Sequence, residues 1–170
     1  MKIIDGLNSD DKVNGVLVQL PLPDVFETEK ILSRIALEKD VDALNPITLR
    51  KIDNVEESYF PAGVGAVLEI FERYKIGIKG KNIMVIGISD LLGRPLSSIL
   101  KNRGGDVRKI DVGNHLTFED LVASDIIVTE ISKPEWLKAD MVKEGVVIID
   151  AANNYIDGKV IGDVDFNEVS

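Results

Sequence analysis

NIMVIGISDLLGRP, residues 82–95, is the stretch that decides the fold of this chain. Its first five residues form a short apolar run that is typical of a buried strand. Gly87 and Gly93 bound a turn, and Pro95 suits the first turn of a helix predicted over 95–103. A strand, a glycine-bounded turn and a helix in this order leave free backbone N–H groups at the helix start, where an anion such as a phosphate can bind.

The segments after this stretch continue the alternation of strands and helices. Strands are predicted over 106–112, 125–131 and 146–150, with a short helix over 117–123 and a helical turn over 138–142 between them. Thr117, with Asp120 three residues later, is typical of a helix N-cap. Short apolar strands that alternate with helices predict an α/β fold, with a Rossmann-like parallel sheet and helices on both of its faces.

The first 60 residues have a different pattern, which predicts part of a second α/β domain. The apolar run Val13–Leu20 predicts a buried strand that Pro21 ends, and a helix over 28–36 is predicted to be capped near Thr28. Residues 39–52 are predicted to be irregular, with a turn at Asn45-Pro46. We place the boundary near residues 56–61, so that residues 1–60 form the partial domain and residues 61–170 the sheet domain.

The sheet domain is predicted to begin with an amphipathic helix over 64–74. Its apolar residues recur at helical spacing and predict one buried face. The four residues predicted on that face are Val67, Leu68, Phe71 and Tyr74.

Composition excludes several classes of function. The 170 residues carry a formal net charge of -9, which disfavours nucleic acid and acidic membrane surfaces as partners. The absence of Cys and the single His, predicted to be an exposed loop residue at position 115, argue against a metal site. No apolar run is long enough for a membrane span, and no secretory signal is evident. We therefore expect a cytoplasmic protein.

The turn after the first strand carries the groups that a dinucleotide needs. Ser89 can donate a hydroxyl hydrogen bond, Gly93 allows close approach, and Arg94 can reach a phosphate. Asp111, 24 positions after Gly87, can accept both ribose hydroxyls and repels a 2′-phosphate, which favours NAD over NADP. Ile88 is apolar, so it provides no cation beside the turn to hold an extra phosphate. Arg108 and Lys109, which lie near Asp111 in the sequence, weaken this preference for NAD. A turn without a ligand and a solvated aspartate are the alternatives.

Four stretches together resemble one family over nearly the whole chain: GVLVQLPLP at 15–23, KDVDALNP at 39–46, the glycine-bounded turn at 87–95, and GKVIGDVDF at 158–166. Their order and spacing are similar to those of the methylenetetrahydrofolate dehydrogenase/cyclohydrolase family. The resemblance implies oxidation of 5,10-methylenetetrahydrofolate by hydride transfer to a nicotinamide cofactor. In many members hydrolysis of the methenyl product follows. It also implies a folate substrate bound between two α/β domains, and a homodimer.

The resemblance also assigns roles to individual residues. Gln19 matches a glutamine near the folate and the catalytic lysine, and Asp42 matches an aspartate that holds the pterin ring, whose amidine edge presents two N–H donors to a carboxylate. Ile131 and Ser132 match a Val-Gly pair and are expected beside the nicotinamide. An acidic residue at the position of Asp111 is typical of NAD-linked relatives.

Departures from the family pattern leave other hypotheses open. The Tyr-x-x-x-Lys segment and the Pro-Gly-Gly segment of the family have no counterpart in these 170 residues. We therefore expect a truncated member, in which cyclohydrolase activity is the less favoured one. A catalytically inactive dinucleotide-binding module of the same fold is the first alternative. An amino-acid or shikimate-type dehydrogenase is the second, and the motifs around Gln19 and Asp42 argue against it.

Overall fold

The computed structural model describes residues 1–54, 59–111 and 116–170, and the chain divides into two compact units, 1–62 and 63–170. His115 and the end of the predicted strand at Val112 lie outside the described residues. The helices are α1 Lys2–Ser9, α2 Thr28–Leu32, α3 Pro46–Asp53, α4 Ala62–Arg73, α5 Gly93–Asn102, α6 Phe118–Ala123 and α7 Phe166–Val169. The strands are β1 Asn82–Ile86, β2 Asp106–Ile110, β3 Ile126–Thr129, β4 Val147–Asp150, β5 Asn154–Ile156 and β6 Lys159–Ile161.

A four-stranded parallel sheet forms the centre of the second unit, with strand order β2-β1-β3-β4. All residues from Ile83 to Ile86 are buried, and so are all residues of β3. Because successive side chains of a strand point to opposite faces, both faces of the sheet are covered. One face packs in a cluster of seven buried residues: Met84, Ile86, Ile110, Leu121, Ile127, Leu137 and Val164. The α/β, Rossmann-like prediction is confirmed.

Helices α5 and α6 pack against the sheet, and α6 begins at a capping box. Helix α5 packs against β1 and β2, and α6 packs against β1. Helix α6 has the predicted cap: Thr117 Oγ1 accepts from the Asp120 N–H at 3.3 Å, and Asp120 Oδ2 accepts from the Thr117 N–H at 3.1 Å. Helix α4 buries three of the four predicted residues, whereas Tyr74 follows the helix and is 76% exposed. The prediction for Tyr74 was wrong because the helix ends at Arg73.

A small antiparallel hairpin follows the parallel sheet and was not predicted. Strands β5 and β6 pair from Asn154–Ile161 to Ile156–Lys159. The two residues between them, Asp157 and Gly158, have φ of 48° and 77°. Two consecutive positive φ angles are what a two-residue turn needs to match the twist of its strands, and Asp-Gly supplies them.

The first unit contains no named strand within its described residues, so the predicted strand over 13–20 was wrong. Val16 alone pairs, in a parallel bridge with Asp40, and its N–H donates to the Lys39 carbonyl at 2.7 Å. An extended run becomes a strand only when a neighbour exchanges several backbone hydrogen bonds with it. Leu17 is 56% exposed, so this part of the run is not buried either.

Two helices of the first unit differ from the predictions. Helix α3 occupies the second half of the stretch predicted to be irregular, because Asn45 acts as its N-cap, accepting from the Ile47 N–H at 2.9 Å, and Pro46 is its first residue. Helix α2 begins at Thr28, but Glu27 is its N-cap and no side chain caps it. The cap predicted near Thr28 was therefore wrong, and the helix ends at Leu32, four residues earlier than expected.

Candidate functional site

The carboxyl edge of the parallel sheet brings most of the predicted residues together. The chain leaves β1 toward β2 on one side and toward β3 on the other, so the strand order reverses at β1. In open α/β sheets, ligands bind in the crevice at such a point. The turn at 87–92 follows β1, Asp111 follows β2, and residues 130–132 follow β3. The first unit holds the other two predicted residues, Gln19 and Asp42.

Gly87 and Gly93 are both required by the geometry of the turn. Gly87 has φ of 117°, and its N–H donates to the Ile110 carbonyl at 2.9 Å. A Cβ on Gly87 would lie 2.4 Å from Glu130 Cγ, and a Cβ on Gly93 would lie 2.1 Å from the Gly87 carbonyl oxygen. Real Cβ atoms do not approach other atoms so closely, so a larger residue would displace the Glu130 side chain at position 87 and the backbone of the turn at position 93.

The carboxylate of Glu130 occupies the position where a phosphate was expected. Glu130 Oε1 accepts from the Gly93 N–H at 2.7 Å and from the Ser89 N–H at 3.3 Å. The Ser89 hydroxyl lies 2.8 Å from each carboxylate oxygen. These donors, at the N-terminus of α5, form an anion site, and the chain fills it with its own anion.

Glu130 was missed by the sequence reasoning because its position depends on strand order. Ile86 pairs with Thr129 in the parallel ladder, and the Glu130 N–H donates to the Ile86 carbonyl at 2.9 Å. The residue after β3 therefore lies opposite the residue after β1, which is Gly87. The available signal was a lone acid directly after an apolar strand, Thr129-Glu130.

Two cations near this edge, Arg94 and Arg108, have carboxylate neighbours. Arg94 Nε donates to Asp90 Oδ1 at 2.6 Å, one helical turn apart. Arg108 forms an ion pair with Asp120. Asp111 is exposed directly after β2, and no described residue forms an ion pair with it. The edge therefore presents an exposed carboxylate directly after β2.

A buried aspartate holds the loop that carries Ile131 and Ser132. Asp163 is 0% exposed and accepts four hydrogen bonds. Its donors are the Ile131 N–H at 2.7 Å, the Lys133 N–H at 2.7 Å, the Thr129 hydroxyl at 3.0 Å and Asn154 Nδ2 at 3.2 Å. Asp163 thus fixes this loop to β3 and to the hairpin.

Ser132 lies within this loop at a position that suits glycine. Its φ is 55°, in the left-handed region, and its side chain is exposed. The Ile131 side chain is half-buried and packs against the cluster on one face of the sheet. Both residues are at the predicted edge of the sheet.

The Lys-Asp-Val-Asp motif of the first unit divides into a structural half and an accessible half. Asp40 is 2% exposed and accepts from the Leu44 N–H, the Asn45 N–H and the Thr48 hydroxyl at 3.1, 3.0 and 2.7 Å. Asp42 is half-buried, and its carboxylate accepts no hydrogen bond within residues 1–54. Asp42 is therefore the acid of this motif that can bind a ligand.

Two further residues of the family motifs have visible contacts. Lys39 Nζ donates to the carbonyls of Leu7, Asn8 and Asp10 at 3.0, 2.8 and 2.9 Å, which caps the end of α1. Gln19 is exposed, and its Nε2 donates to the Leu20 carbonyl at 3.0 Å. The sequence motif gave no means to separate a structural lysine from an accessible glutamine.

The shifted pKa values belong to ion pairs and caps outside the turn. Hydrogen bonding to Lys138 lowers the pKa of Asp165 below its usual 3.8, and the same bond raises the pKa of Lys138 above 10.5. Hydrogen bonds from Thr117 lower the pKa of Asp120. These groups stabilise loops and helix ends and do not mark a general acid or base.

Two features are absent from the described residues. No helix there combines the length and the apolar character that crossing a bilayer needs. No three His, Asp or Glu side chains in the described ranges are grouped so that they could hold a metal ion.

Comparisons with known proteins identify relatives along nearly the whole chain. Residues 61–170 match the family described as "Tetrahydrofolate dehydrogenase/cyclohydrolase, NAD(P)-binding domain", and residues 1–42 match the catalytic domain of the same family. "Bifunctional protein FolD" of Macrococcus caseolyticus is 40% identical over 98% of this chain, and the chain spans 59% of its length.

Solved structures of similar proteins include one with NADP and one of an NAD-dependent enzyme. The bifunctional FolD methylenetetrahydrofolate dehydrogenase/cyclohydrolase of Campylobacter jejuni has a TM-score of 0.95 and 36% identity, over 99% of this chain and 60% of its own. The Trypanosoma brucei dehydrogenase-cyclohydrolase, complexed with NADP and an inhibitor, has a TM-score of 0.92 and 27% identity, over 99% and 60%. The NAD-dependent dehydrogenase of Saccharomyces cerevisiae has a TM-score of 0.73 and 25% identity, over 90% and 62%. On these matches and this geometry, the chain belongs to the tetrahydrofolate dehydrogenase/cyclohydrolase family.

Proposed function

We propose that this chain forms part of an NAD-dependent 5,10-methylenetetrahydrofolate dehydrogenase. In this proposal residues 61–170 bind the dinucleotide and residues 1–60 contribute to the folate site. The observation that carries it is the anion site at the strand-order reversal, between Ser89 and Gly93, with Asp111 exposed at the end of the neighbouring strand. The chain covers 59% of its curated relative, so the activity is proposed for the protein that contains it.

The residues of the sheet edge fit a dinucleotide by their donor chemistry. The Ser89 hydroxyl and the Gly93 N–H already hold the carboxylate of Glu130, and this supports the proposal that they bind a phosphate oxygen. Asp111 would accept the ribose hydroxyls of the adenosine. Ile131 and Ser132 would lie beside the nicotinamide, which supplies the hydride acceptor when it is bound.

The choice of NAD over NADP rests on charge at the end of β2. A 2′-phosphate beside Asp111 would place two anions together, and Arg108, one of the two cations near Asp111 in the sequence, pairs with Asp120. The relatives include both NADP and NAD enzymes, so the family alone leaves the choice open. We expect NAD to bind at least about tenfold more tightly than NADP, a difference of about 1.4 kcal/mol.

Isothermal titration of NAD and NADP onto the chain tests this preference. The Asp111→Asn variant removes the charge and keeps the size, and it should lose most of the discrimination. Asp140→Asn is the matched control, since Asp140 is exposed in the short helical turn Ala139–Met141. Equal NAD and NADP affinities in the wild type would contradict the role of Asp111.

In the first unit, the proposed ligand contact is Asp42. Its carboxylate has no partner within residues 1–54 and could accept two N–H groups from the amidine edge of a pterin. Gln19, exposed near the end of its segment, would donate to the folate from the same unit. A turnover assay with 5,10-methylenetetrahydrofolate and NAD should give NADH, and Asp42→Asn should raise KM for the folate.

Cyclohydrolase activity, a homodimer and a cytoplasmic location complete the proposal. The names of the bifunctional relatives support the cyclohydrolase, and formation of 10-formyltetrahydrofolate from the methenyl compound tests it. Sedimentation velocity tests the dimer, and fractionation of the source cells tests the location.

The carboxylate of Glu130 also favours a second candidate, a catalytically inactive member of the family. Its occupation of the phosphate position opposes dinucleotide binding. If the longest natural form of the protein neither binds NAD nor turns over the folate, that result would favour this candidate over the dehydrogenase.

A further inference from the structure

We infer that Glu130 is an internal anion that sets the affinity of the crevice for phosphate-bearing dinucleotides. Such a ligand would reach the Ser89 and Gly93 donors only after the Glu130 carboxylate has left them. The inference rests on the proposed dinucleotide function, and it adds a residue that controls the phosphate position. It also predicts that a substitution of Glu130 strengthens binding.

The geometry makes Glu130 a direct competitor. Its Oε1 is 2.7 Å from the Gly93 nitrogen, and its two oxygens are each 2.8 Å from the Ser89 hydroxyl. The side chain also lies over Gly87, since a Cβ built there would be 2.4 Å from Glu130 Cγ. The Glu130 side chain therefore both covers Gly87 and occupies the donors at the start of α5.

Charge makes the competition exclusive. Each N–H at the helix start can serve one strong acceptor, and two anions at hydrogen-bond distance from the same donors repel each other. In the described part of the chain, no Lys or Arg forms an ion pair with Glu130, so hydrogen bonds alone hold its carboxylate in place.

Glu130 can also leave the site without unfolding the sheet. It follows the last residue of β3, is half-buried, and has three side-chain torsions. Movement of its side chain to solvent would open the donors while the backbone bond to the Ile86 carbonyl stays intact. The apparent dissociation constant is the intrinsic constant divided by the fraction of molecules in this open form.

A purely structural role for Glu130 predicts the opposite result. If the carboxylate mainly holds the turn in shape, its removal would loosen the Ser89–Gly93 loop and weaken the binding of any anion. The direction of the change in affinity therefore separates the two roles.

The experiment compares the wild type with Glu130→Ala and Glu130→Gln. Glu144→Gln is the control, because Glu144 is exposed just before β4, at the opposite edge of the sheet, and its removal changes the net charge equally. Inorganic pyrophosphate and NAD are each titrated by calorimetry. Circular dichroism establishes that every variant is folded. The Gly93 amide resonance, followed by NMR, reports on the donor itself.

We expect Glu130→Ala to bind both probes at least about tenfold more tightly than the wild type. A tenfold gain corresponds to a wild type in which the Glu130 carboxylate occupies the donors in about nine molecules of ten. Glu130→Gln keeps the shape and loses the charge, so it should fall between the two. The Gly93 amide should shift in Glu130→Ala and shift again when pyrophosphate is added. Glu144→Gln should bind as the wild type does.

The other outcomes test the role of Glu130 and the dinucleotide function separately. Unchanged or weaker binding of both probes to a folded Glu130→Ala overturns the role of Glu130, and strong NAD binding by the wild type would then leave the dinucleotide function standing. Tighter pyrophosphate binding without NAD binding supports Glu130 and overturns the dinucleotide function. If neither probe binds any variant, both proposals fail.

Discussion

Replacement of Asp163 by Ala should destabilise the second unit more than any other single carboxylate change described above. The side chain is 0% exposed and accepts hydrogen bonds from Ile131, Lys133, Thr129 and Asn154. The substitution removes the acceptor for all four donors at once and leaves a small cavity between β3 and the hairpin.

The magnitude follows from which donors water can reach after the change. Ile131 is half-buried and Lys133 is exposed, so water can replace the carboxylate at their amides. Thr129 is 0% and Asn154 is 9% exposed, so their donors stay dry. Each unsatisfied buried donor costs about 1–3 kcal/mol, which gives a loss of about 2–6 kcal/mol for the pair. Since small domains are stable by only about 5–15 kcal/mol, this loss is a large part of the total.

The assay is urea unfolding followed by the fluorescence of Trp136, the only tryptophan in the chain. Trp136 packs against the buried cluster of the second unit, so its emission reports on that unit. Asp163→Asn keeps the volume and should lose part of the stability. Asp140→Asn, exposed in the same unit, should stay within about 0.5 kcal/mol of the wild type. A loss below about 1 kcal/mol in folded Asp163→Ala would refute the view that the carboxylate satisfies buried donors.

Three further predictions concern the turn, the loop and the caps, and one concerns pH. Gly93→Ala should lower the free energy of unfolding in urea by about 1–3 kcal/mol, because its Cβ would lie 2.1 Å from a carbonyl oxygen. Gly65→Ala in helix α4, where a Cβ would have nothing within 4 Å, should instead raise it by about 0.4–1 kcal/mol. Equal effects of the two substitutions would contradict the steric argument. Ser132→Gly should keep or raise the melting temperature, since φ of 55° costs a non-glycine residue about 1–2 kcal/mol, whereas a clear fall would show that the serine side chain is needed. Thr117→Ala should cost about 1 kcal/mol by loss of the cap of α6, and a change within error would mean that the cap is not formed in solution. The hydrogen bond with Lys138 lowers the pKa of Asp165 below 3.8 and raises that of Lys138 above 10.5. The pair therefore stabilises the protein between these values, and its contribution is lost as pH falls through the lowered pKa or rises through the raised one. The difference in urea midpoint between the wild type and Lys138→Met should shrink toward acid pH, and a constant difference would contradict the linkage.

The parallel sheet was predictable because its strands leave a local signal. Residues 83–86 of β1 and all residues of β3 are buried, and every one of them except Thr129 is apolar, so these runs stand out in the sequence. The cap at Thr117 was predictable for a similar reason, since both partners of the capping box lie within four residues. Some predicted strand ends differ from the observed ends by one or two residues, because backbone hydrogen bonds to the neighbouring strand decide where a strand ends.

Errors arose where the outcome depended on a distant partner or on a missed local signal. The run at 13–20 has the composition of a strand, but within residues 1–54 it pairs only through Val16 and Asp40. The hairpin over 154–161 had a usable signal in Asp157-Gly158, and helix α3 had one in Asn45-Pro46, where a cap and a first-turn proline were taken for a turn.

The glycine-bounded turn of the candidate site could be predicted from the sequence, but the side chain that occupies it could not. The glycines of the turn were evident because their spacing is local. Glu130 was not, because its contact with Gly93 spans 37 residues and depends on β3 lying next to β1. The environment of Asp163 likewise depends on four donors from two separate segments, residues 129–133 and Asn154.

The network around Asp40 has a thermodynamic consequence for whatever Asp42 binds. Asp40 fixes the amides of Leu44 and Asn45, and Ala43, which precedes them and follows Asp42, has a φ of 55°. The backbone that follows Asp42 is therefore fixed before a ligand binds, so binding would cost the protein little conformational entropy. Loosening this scaffold at Asp40 would weaken recognition through the entropy of binding while leaving the recognising carboxylate in place.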